Sequence, residues 1–518
     1  MTWLEEVEEI RRRRELALRM GGEERVARQH AKGRLTIRER IDGLVDDGSF
    51  VEIGQLMGRG IYEQGVLTDL VPDAYVAGLA RVDGRDVVVG GEDFTVRGGS
   101  GRGAEGHRVK RDMAFAMARE YRIPLVQFFD GAGANIQAIE NMGRSYLPNS
   151  KDWSLPLELL GEVPMVGGIL GAVAGGIAAY ALLTHWSVMS RGAELFAAGP
   201  PVVKRALGLD VTKQELGSAE LHLYTSGLAD NDARDEADAF DQIARFLSYL
   251  PSSVWEPPPY VEPDDSPDRR EEELLSIIPR ESRQAYDMHR LIELLVDLGS
   301  LFEVKPRYAR NVITALARMN GHSVGVVANN PRVMAGALDA AGSEKMGHFL
   351  ELCDTFRIPV LHLVDVPGFV VGPDAEAAGT LRYGMRALWV GHQITVPVVT
   401  VHVRRCYGMA GVATSTPAHL GLRLGWPSGE WGSLPVEGGV EAAYRRLIEQ
   451  SDDPERMRKE IEERLRLMKS VFPIAEAFGV EDLIDPRDTR PLVIRYLETA
   501  IPRSLHELGP KPRYGVRP

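Results

Sequence analysis

Apolar and polar positions follow each other along this chain in blocks that are typical of strands packed against helices. RIPLVQFFDGAG, residues 122–133, is apolar up to Asp130 and then reaches a glycine turn. A similar run, RIPVLHLVDVPGF, occupies residues 357–369. Short apolar runs bounded by turn residues are typical of strands buried on both faces. Each run therefore predicts a buried strand, and their likeness suggests a repeated unit.

Two further features repeat at nearly the same spacing. ARVDGRDVVVGGED begins at Ala80 and ARMNGHSVGVVANN at Ala317, and each predicts two strands joined by a D-G or N-G turn. VPMVGGILGAVAGG begins at Val163 and VPVVTVHVRRCYGMAG at Val396. The three pairs are 237, 235 and 233 residues apart. We infer two homologous domains of roughly 230 residues each.

The order of elements predicts the architecture. Helical patterns at 105–121 and 343–356 precede the two R-I-P strands, and alternation of strand and helix predicts an α/β fold with a largely parallel sheet. A Pro-rich acidic stretch reads as a linker. The predicted division is a helical N-terminal extension at 1–45, domains at 46–250 and 276–518, and a linker at 251–275. Residues 453–472 predict an amphipathic helix that packs on its own domain or on a partner subunit.

Composition excludes several classes of function. The net charge of −13 does not favour nucleic acid or anionic membranes, so a polyanionic ligand would need a local basic pocket. Only two cysteines are present, which argues against a disulfide scaffold or a cysteine-rich zinc site and favours the cytoplasm. The start lacks the apolar core of a signal peptide, and the apolar tract at 163–183 is interrupted by glycines. We therefore expect no membrane span and no metal on this chain.

Small residues follow the third strand of each repeat, at 174–176 and 408–411. If a helix begins there, its first amides lack internal partners and lie at the positive end of the helix dipole. Such donors stabilise a developing oxyanion. The alternative is that small residues only allow close packing of helix on strand. No acid–base pair is evident, which favours chemistry in which the substrate or cofactor moves the proton.

The glycine-rich basic run at 97–111 is compatible with a phosphate cradle or with a flexible basic loop. Motifs of P-loop nucleotidases, nucleophile-elbow hydrolases and zinc proteases are missing from the sequence.

At this point the chain resembles the carboxyltransferase β subunits of biotin-dependent acyl-CoA carboxylases, the propionyl-CoA carboxylase β-like family. The resemblance covers nearly the whole chain. The motifs that carry it are AKGRLTIRERIDGLVDDGSF (31–50), EDFTVRGGS (92–100), VKPRYARNVITALARMNGHSVGVVANNP (304–331), SEK (343–345) and LVDVPGF (363–369).

The resemblance implies two tandem crotonase-like (ClpP/crotonase, spiral ββα) domains and a ring-shaped homo-hexamer. It places acyl-CoA on the first domain and carboxybiotin on the second, with the active site at a dimer interface. It implies that the amides of Gly175 and Gly176 hold the thioester oxygen as an enolate, and that those of Met409 and Ala410 hold the biotin ureido oxygen. Carboxybiotin would release CO2 and its ring nitrogen would remove the α-proton, so no protein base is needed. By the same resemblance, the coenzyme A contacts are Gly98, Gly99, Ser100, Lys110 and Ala134.

The chain has no biotin-bearing lysine and no ATP-grasp signature, so the resemblance implies a partner (α) subunit with the biotin carboxylase and biotin carrier. Met468-Lys469 is similar to the Met-Lys pair of a biotin attachment site, but it lies in a charged helical stretch, so Lys469 is interpreted as a surface lysine.

Several positions depart from the family pattern around the expected acyl and biotin pockets. Asn135 stands in place of arginine, Tyr383 of histidine, Gly411 of tyrosine and Val412 of aspartate. Met409 also replaces a glycine of the second turn. We expect Gly411 to open space and Val412 to make the wall apolar, which predicts an acyl group bulkier than propionyl.

Three alternatives stay open. A biotin-dependent acyl-CoA decarboxylase or transcarboxylase would use the same fold in the opposite direction. A non-catalytic paralogue inside a carboxylase assembly is the second. A crotonase-type isomerase or hydratase is the third, and it would need carboxylates in the first pocket, for which Glu105 and Glu140 are candidates by sequence proximity alone.

Overall fold

A computed structural model describes residues 2–100, 106–133, 140, 143–144, 147, 149–281, 284–415, 421–467 and 470–511. The chain divides into two compact units. The first runs to Glu256 and includes the short terminal segment from Gly509, and the second runs from Pro257 to Leu508. The exact boundaries predicted for the extension, the linker and the domains stay predictions.

The first unit contains ten described strands and nine described helices. The strands are β1 (Val51–Glu52), β2 (Gly58–Glu63), β3 (Val66–Pro72), β4 (Tyr75–Val82), β5 (Arg85–Glu92), β6 (Leu125–Gly131), β7 (Met165–Ala174), β8 (Trp186–Ser190), β9 (Glu194–Phe196) and β10 (Asn231–Ala233). The helices are α1 (Leu4–Leu18), α2 (Glu23–His30), α3 (Ile37–Leu44), α4 (Gly106–Tyr121), α5 (Ser154–Leu159), α6 (Gly176–Ala181), α7 (Pro200–Leu207), α8 (Lys213–Gly217) and α9 (Glu236–Leu247).

The second unit repeats this plan with eight strands and nine helices among its described residues. The strands are β11 (Phe302–Val304), β12 (Val312–Met319), β13 (His322–Asn329), β14 (Val360–Val366), β15 (Val398–Tyr407), β16 (Leu422–Gly425), β17 (Glu430–Gly432) and β18 (Asp482–Leu483). The helices are α10 (Met288–Leu295), α11 (Ala340–Thr355), α12 (Pro373–Ala377), α13 (Thr380–Gln393), α14 (Gly408–Ser415), α15 (Val436–Glu449), α16 (Pro454–Leu467), α17 (Val471–Glu476) and α18 (Thr489–Ser504).

The two main sheets have the same strand order. The first is β1-β4-β5-β6-β7-β8-β10 with β9 on β7, and the second is β11-β12-β13-β14-β15-β16-β18 with β17 on β15. In each, the first two pairings are antiparallel and the rest are parallel. The predicted hairpins and parallel sheets are thus confirmed. A separate β2–β3 hairpin has no counterpart among the described strands of the second unit.

The repeat extends to single backbone angles. Residues at equivalent positions share the left-handed region that glycine favours and other residues rarely adopt. The matched pairs are Arg122 and Arg357 (φ 54° and 58°), Gly99 and Gly336 (71° and 80°), and Gly175 and Gly408 (63° and 59°).

One repeated element lies inside the predicted N-terminal extension. Helix α3 is followed by Asp46, whose carboxylate accepts hydrogen bonds from the amides of Asp83 (3.0 Å) and Gly84 (2.8 Å). Helix α10 is followed by Asp297, which accepts hydrogen bonds from the amides of Asn320 (2.9 Å) and Gly321 (2.8 Å). The sequence contains this repeat as LVDDGSF (44–50) and LVDLGSLF (295–302), a similarity that the sequence analysis did not identify.

The amphipathic helix predicted at 453–472 is observed as α16. It packs against α15 of its own unit, around Val440, Ile448 and Ile461, in a small cluster separate from the main core. In the part of the chain that the structure describes, no helix has the length and apolar character needed to cross a membrane.

The β6 and β7 strands form the centre of the first core, and every residue of both is buried. Asp130 lies in this interior, and a Cβ added to Gly171 would overlap its carboxylate. Glycine at position 171 therefore makes room for a buried charge.

We predict that Gly171→Ala destabilises the first unit by about 1–3 kcal/mol, the usual cost of overpacking a filled interior. A lower thermal unfolding midpoint would show it. Gly192→Ala is the matched control, because a Cβ there meets nothing within 4 Å. Equal midpoints for the two variants would contradict this account of the packing.

Candidate active site

Three strand-end loops of the first unit meet at one edge of its sheet, because β5, β6 and β7 are parallel. The amide of Ala132 donates to the carbonyl of Gly98 at 2.9 Å, and Ser100 Oγ donates to the carbonyl of Gly133 at 2.8 Å. A Cβ on Gly133 would lie 2.7 Å from the carbonyl oxygen of Ala174. The structure therefore brings the predicted segments 98–100 and 175–176 to the same edge.

The turn after β7 leaves one amide open. Gly175 has φ 63° and ψ −132°, and its amide donates to the carbonyl of Phe196 at 3.3 Å. Gly176 begins α6 and is exposed, and its amide has no acceptor among the described residues. A Cβ at Gly176 would meet nothing within 4 Å, so the space in front of it is open. Gly176 is thus the better donor of the predicted pair.

The turn after β15 has the same form. Gly408 has φ 59° and begins α14, and Met409, 47% exposed, occupies the place of Gly176. The amide of Met409 has no acceptor within the described part of the chain. Ala410 is fully buried and corresponds to Ile177. The structural equivalents of Gly175 and Gly176 are therefore Gly408 and Met409, one residue earlier than the predicted pair.

The loops of the second unit also converge. The amide of Leu338 donates to the carbonyl of Gly368 at 3.0 Å, and Arg405 Nη2 donates to the carbonyl of Ala335 at 2.7 Å. The ends of β13, β14 and β15 thus form a second edge with the geometry of the first.

Lys110, which the resemblance places among the coenzyme A contacts, lies inside the first unit. Its side chain is buried, with Nζ 3.7 Å from the Glu52 carboxylate, and burial lowers the pKa of Lys110 although Glu52 and Asp73 oppose that shift. The equivalent Lys345 is also buried. Its Nζ donates to the carbonyls of Lys305 (2.7 Å), Tyr308 (2.9 Å) and Val312 (2.7 Å). Lys345 thus holds the loop before β12 from inside its unit, whereas Lys110 pairs with the Glu52 carboxylate of β1.

A basic cavity of about 430 Å³ lies beside Gly98. Its described lining contains four cationic side chains and no acidic one: Arg25, Arg28, Lys32 and Arg97. Lys32 Nζ lies 5.6 Å from the ring centroid of Phe94, which also lines the cavity. This is the local basic pocket that a polyanion would need in a chain of net charge −13. Sequence reasoning missed the α2 arginines, because their alignment toward Gly98 depends on the fold.

The structure describes only some of the residues expected near the acyl and biotin pockets. Ala134, Asn135 and Glu105 lie outside the described residues, and Glu140 is exposed. Tyr383 is half-buried on α13, with the Arg382 guanidinium 5.3 Å from its ring centroid.

Val412 is exposed, and Gly411 is buried. A Cβ at Gly411 would lie 2.8 Å from Cys406 Sγ, so the expectation of open space there is wrong. Glycine at this position accommodates the neighbouring thiol.

Among the described residues no cluster of His, Cys, Asp or Glu is arranged to hold a metal ion.

Comparisons with known proteins agree with this geometry. The family model described as "Carboxyl transferase domain" matches residues 28–512. The chain is 38% identical, over the full length of both, to the propionyl-CoA carboxylase carboxyltransferase subunit of Haloferax mediterranei. It is 38% identical to the methylmalonyl-CoA carboxyltransferase 12S subunit of Propionibacterium freudenreichii subsp. shermanii, over 95% of this chain and 93% of that one.

Among solved structures, transcarboxylase 12S, described as a hexamer with methylmalonyl-coenzyme A and methylmalonic acid bound, has a TM-score of 0.87. It is 35% identical and the match covers 96% of this chain and 95% of that one.

Two α/β domains whose sheets have the same strand order, together with these matches, define a crotonase-fold carboxyltransferase. The chain belongs to the carboxyl transferase domain family, and it is an acyl-CoA carboxyltransferase of the carboxylase β-subunit type. The resemblance seen in the sequence is confirmed.

We predict that Gly411→Ala lowers the thermal unfolding midpoint, because the new Cβ meets Cys406 Sγ. In a Cys406→Ala background the same change has a smaller effect, since the obstructing sulfur is gone. A double-mutant cycle measures this coupling directly. Identical losses in the two backgrounds would show that Cys406 does not set the requirement for glycine.

Proposed function

We propose that this chain transfers CO2 from carboxybiotin, carried by a partner subunit, to the α-carbon of an acyl-CoA through an enolate. The observation that carries the proposal is the repeated turn. Each unit ends its long buried strand with a left-handed glycine and places an amide without a partner, Gly176 or Met409, at an open edge.

The first turn acts on the thioester. As the α-proton leaves, negative charge develops on the thioester oxygen, and the Gly176 amide stabilises it at the positive end of α6. One such donor contributes on the order of 2.7–4 kcal/mol to transition-state stability. The donor is fixed before reaction because Gly175 is held by its bond to Phe196.

The second turn acts on the ureido group. Carboxybiotin, when bound, supplies CO2 and a ring nitrogen that accepts the α-proton. The Met409 amide, with Gly408 before it and Ala410 after it in the chain, would hold the ureido oxygen and stabilise negative charge on it. The site therefore needs no protein base. In the resemblance, the two turns that cooperate come from neighbouring protomers, which makes a homo-oligomer part of the proposal. The hexamer described for transcarboxylase 12S supports it.

The basic cavity binds the nucleotide end of coenzyme A. The phosphates of coenzyme A would pair with four cations of the lining, Arg25, Arg28, Lys32 and Arg97. Phe94 adds an aromatic face to the same cavity. Gly98 belongs both to the cavity lining and to the sheet edge that carries Gly176. The thioester arm of a coenzyme A whose nucleotide lies in the cavity would therefore extend along this edge toward the turn.

The reverse direction is the second candidate. The methylmalonyl-CoA decarboxylase subunit alpha of Veillonella parvula is 37% identical over 92% of each chain. The same two turns would stabilise the same charges in decarboxylation or transcarboxylation. The argument for an acyl group bulkier than propionyl now rests on Val412 alone, since Gly411 opens no space. Both turns are retained, which argues against a non-catalytic paralogue.

The test is purification of the native assembly, with detection of a biotinylated partner and assay on acetyl-, propionyl-, branched and longer acyl-CoAs. We expect ATP-dependent fixation of labelled bicarbonate into one or more of these acyl-CoAs. A sodium-pumping membrane partner would instead favour the decarboxylase. Absence of acyl-CoA binding by the purified protein would contradict the proposal.

We predict that the Arg25→Ala/Arg28→Ala variant binds acyl-CoA about tenfold more weakly than the native protein, because it loses two charge-assisted phosphate contacts. Isothermal titration at low and moderate salt measures this. Arg81→Ala is the control: Arg81 pairs with Asp86 at the far end of the β4–β5 hairpin. An equal loss in both variants would indicate a general charge effect and contradict a specific phosphate site.

A further inference from the structure

Each unit buries one carboxylate where its R-I-P strand ends. Asp130 on β6 and Asp365 on β14 are both fully buried. Both lie at a register shift against the next strand, between Phe129 and Gly131 in one case and between Val364 and Val366 in the other. A buried carboxylate needs a fixed cationic or hydrogen-bonding partner. The two units supply that partner in different ways.

In the second unit the partner comes from the sheet itself. Arg404 Nη2 lies 2.9 Å from Asp365 Oδ2, and Arg405 Nε lies 2.7 Å from Asp365 Oδ1. Both arginines belong to β15, the strand that leads directly into the Gly408 turn. The arginines that neutralise Asp365 therefore lie on the strand that leads into the turn.

In the first unit the equivalent positions are Gly171 and Ala172, which carry no charge. The cation comes instead from α3: Arg40 Nη1 lies 3.1 Å from Asp130 Oδ2, and Arg40 also makes two bonds to Glu236, at 2.7 and 2.9 Å. Gln29 of α2 adds a bond from Nε2 to Asp130 Oδ2 at 3.0 Å.

The segment α2–α3 thus reaches both the basic cavity and the buried carboxylate. Arg25, Arg28 and Lys32, which surround Gln29 in sequence, line the cavity. From Asp130 the contacts continue to the turn. Gly131, the next residue, packs against Ile177: a Cβ built on Gly131 would lie 2.5 Å from Ile177 Cδ1. Ile177 in turn follows Gly176 directly.

Resting on the proposed function, we propose that Arg40 is a positioning residue that couples nucleotide binding at the basic cavity to the placement of the Gly176 amide. Arg404 and Arg405 position the second turn through Asp365, and neither of them lines that cavity. Part of the binding energy of the remote nucleotide then serves to position the Gly176 amide at the thioester. Loss of the nucleotide contacts therefore lowers kcat as well as raising KM. We expect no such coupling in the second unit, because Arg404 and Arg405 belong to the strand that carries its turn.

The experiment is a kinetic double-mutant cycle on the intact assembly. Arg25→Ala/Arg28→Ala removes the remote contacts, and Arg40→Lys keeps the charge while losing the fork that joins Asp130 to Glu236. In the native background we expect the cavity variant to raise the KM for acyl-CoA about tenfold and to lower kcat several-fold. In the Arg40→Lys background the cavity variant should change KM alone, because the coupling is already lost.

Arg405→Lys is the matched control in the other unit. It should alter the KM for biotin or its carrier and leave the effect of the cavity variant on kcat unchanged. Strict additivity of the Arg40 and cavity variants in kcat would overturn the inference, as would an equal coupling to Arg405.

If Arg40→Lys fails to fold, the Arg40→Met/Asp130→Asn/Glu236→Gln variant, which removes all three buried charges together, takes its place, and the same comparison decides. The native assembly separates the two claims. If it binds acyl-CoA but transfers no CO2, the proposed function fails; if it is active and the cycle is additive, only the coupling fails.

Discussion

A left-handed glycine at the end of a long buried strand is the constraint on which this structure depends. Gly175 and Gly408 have φ values of 63° and 59°, which only glycine adopts without strain. Each lets the chain pass from strand into helix within one residue, so the next amide, of Gly176 or Met409, has no turn of helix before it to accept its hydrogen bond. The parallel sheet then fixes that amide beside the ends of two neighbouring strands. A side chain at position 409 is tolerated because the donor is main-chain and Met409 extends to the surface.

Charge is distributed so that a strongly acidic chain can still bind a polyanion. The net charge is −13, yet the described lining of the cavity beside Gly98 contains four cationic side chains and no acidic one. Beneath the strand ends, buried carboxylates are matched by arginines from α3 in one unit and from β15 in the other. Duplication preserved the position of the buried aspartate and changed the element that neutralises it. The buried aspartate of the first unit is therefore tied to the α2–α3 segment, whereas that of the second unit is tied to the strand that leads into its own turn.

Much of the fold could be predicted from local pattern. The two R-I-P strands, the D-G and N-G hairpins and the third strands are where their sequences indicated, since each carries its own signal of apolar run and turn residue. Helix α3 was assigned to an extension because its repeat partner, α10, lies at a different spacing, shifted by the β2–β3 insertion. The burial of Lys110 and the crowding at Gly411 could not be predicted, for another reason. Sequence gives proximity along the chain, whereas the burial of Lys110 against Glu52 and the contact of Gly411 with Cys406 arise only from tertiary packing.

The most direct test is a structure of the assembled protein with an acyl-CoA and biotin bound, determined by crystallography or cryo-electron microscopy. The account predicts that the Gly176 amide nitrogen lies about 2.7–3.1 Å from the thioester oxygen and the Met409 amide nitrogen at a similar distance from the ureido oxygen, the range for a working oxyanion donor. Ligands bound with either amide turned away from these oxygens, or closed off from the ligand cavity, would contradict it.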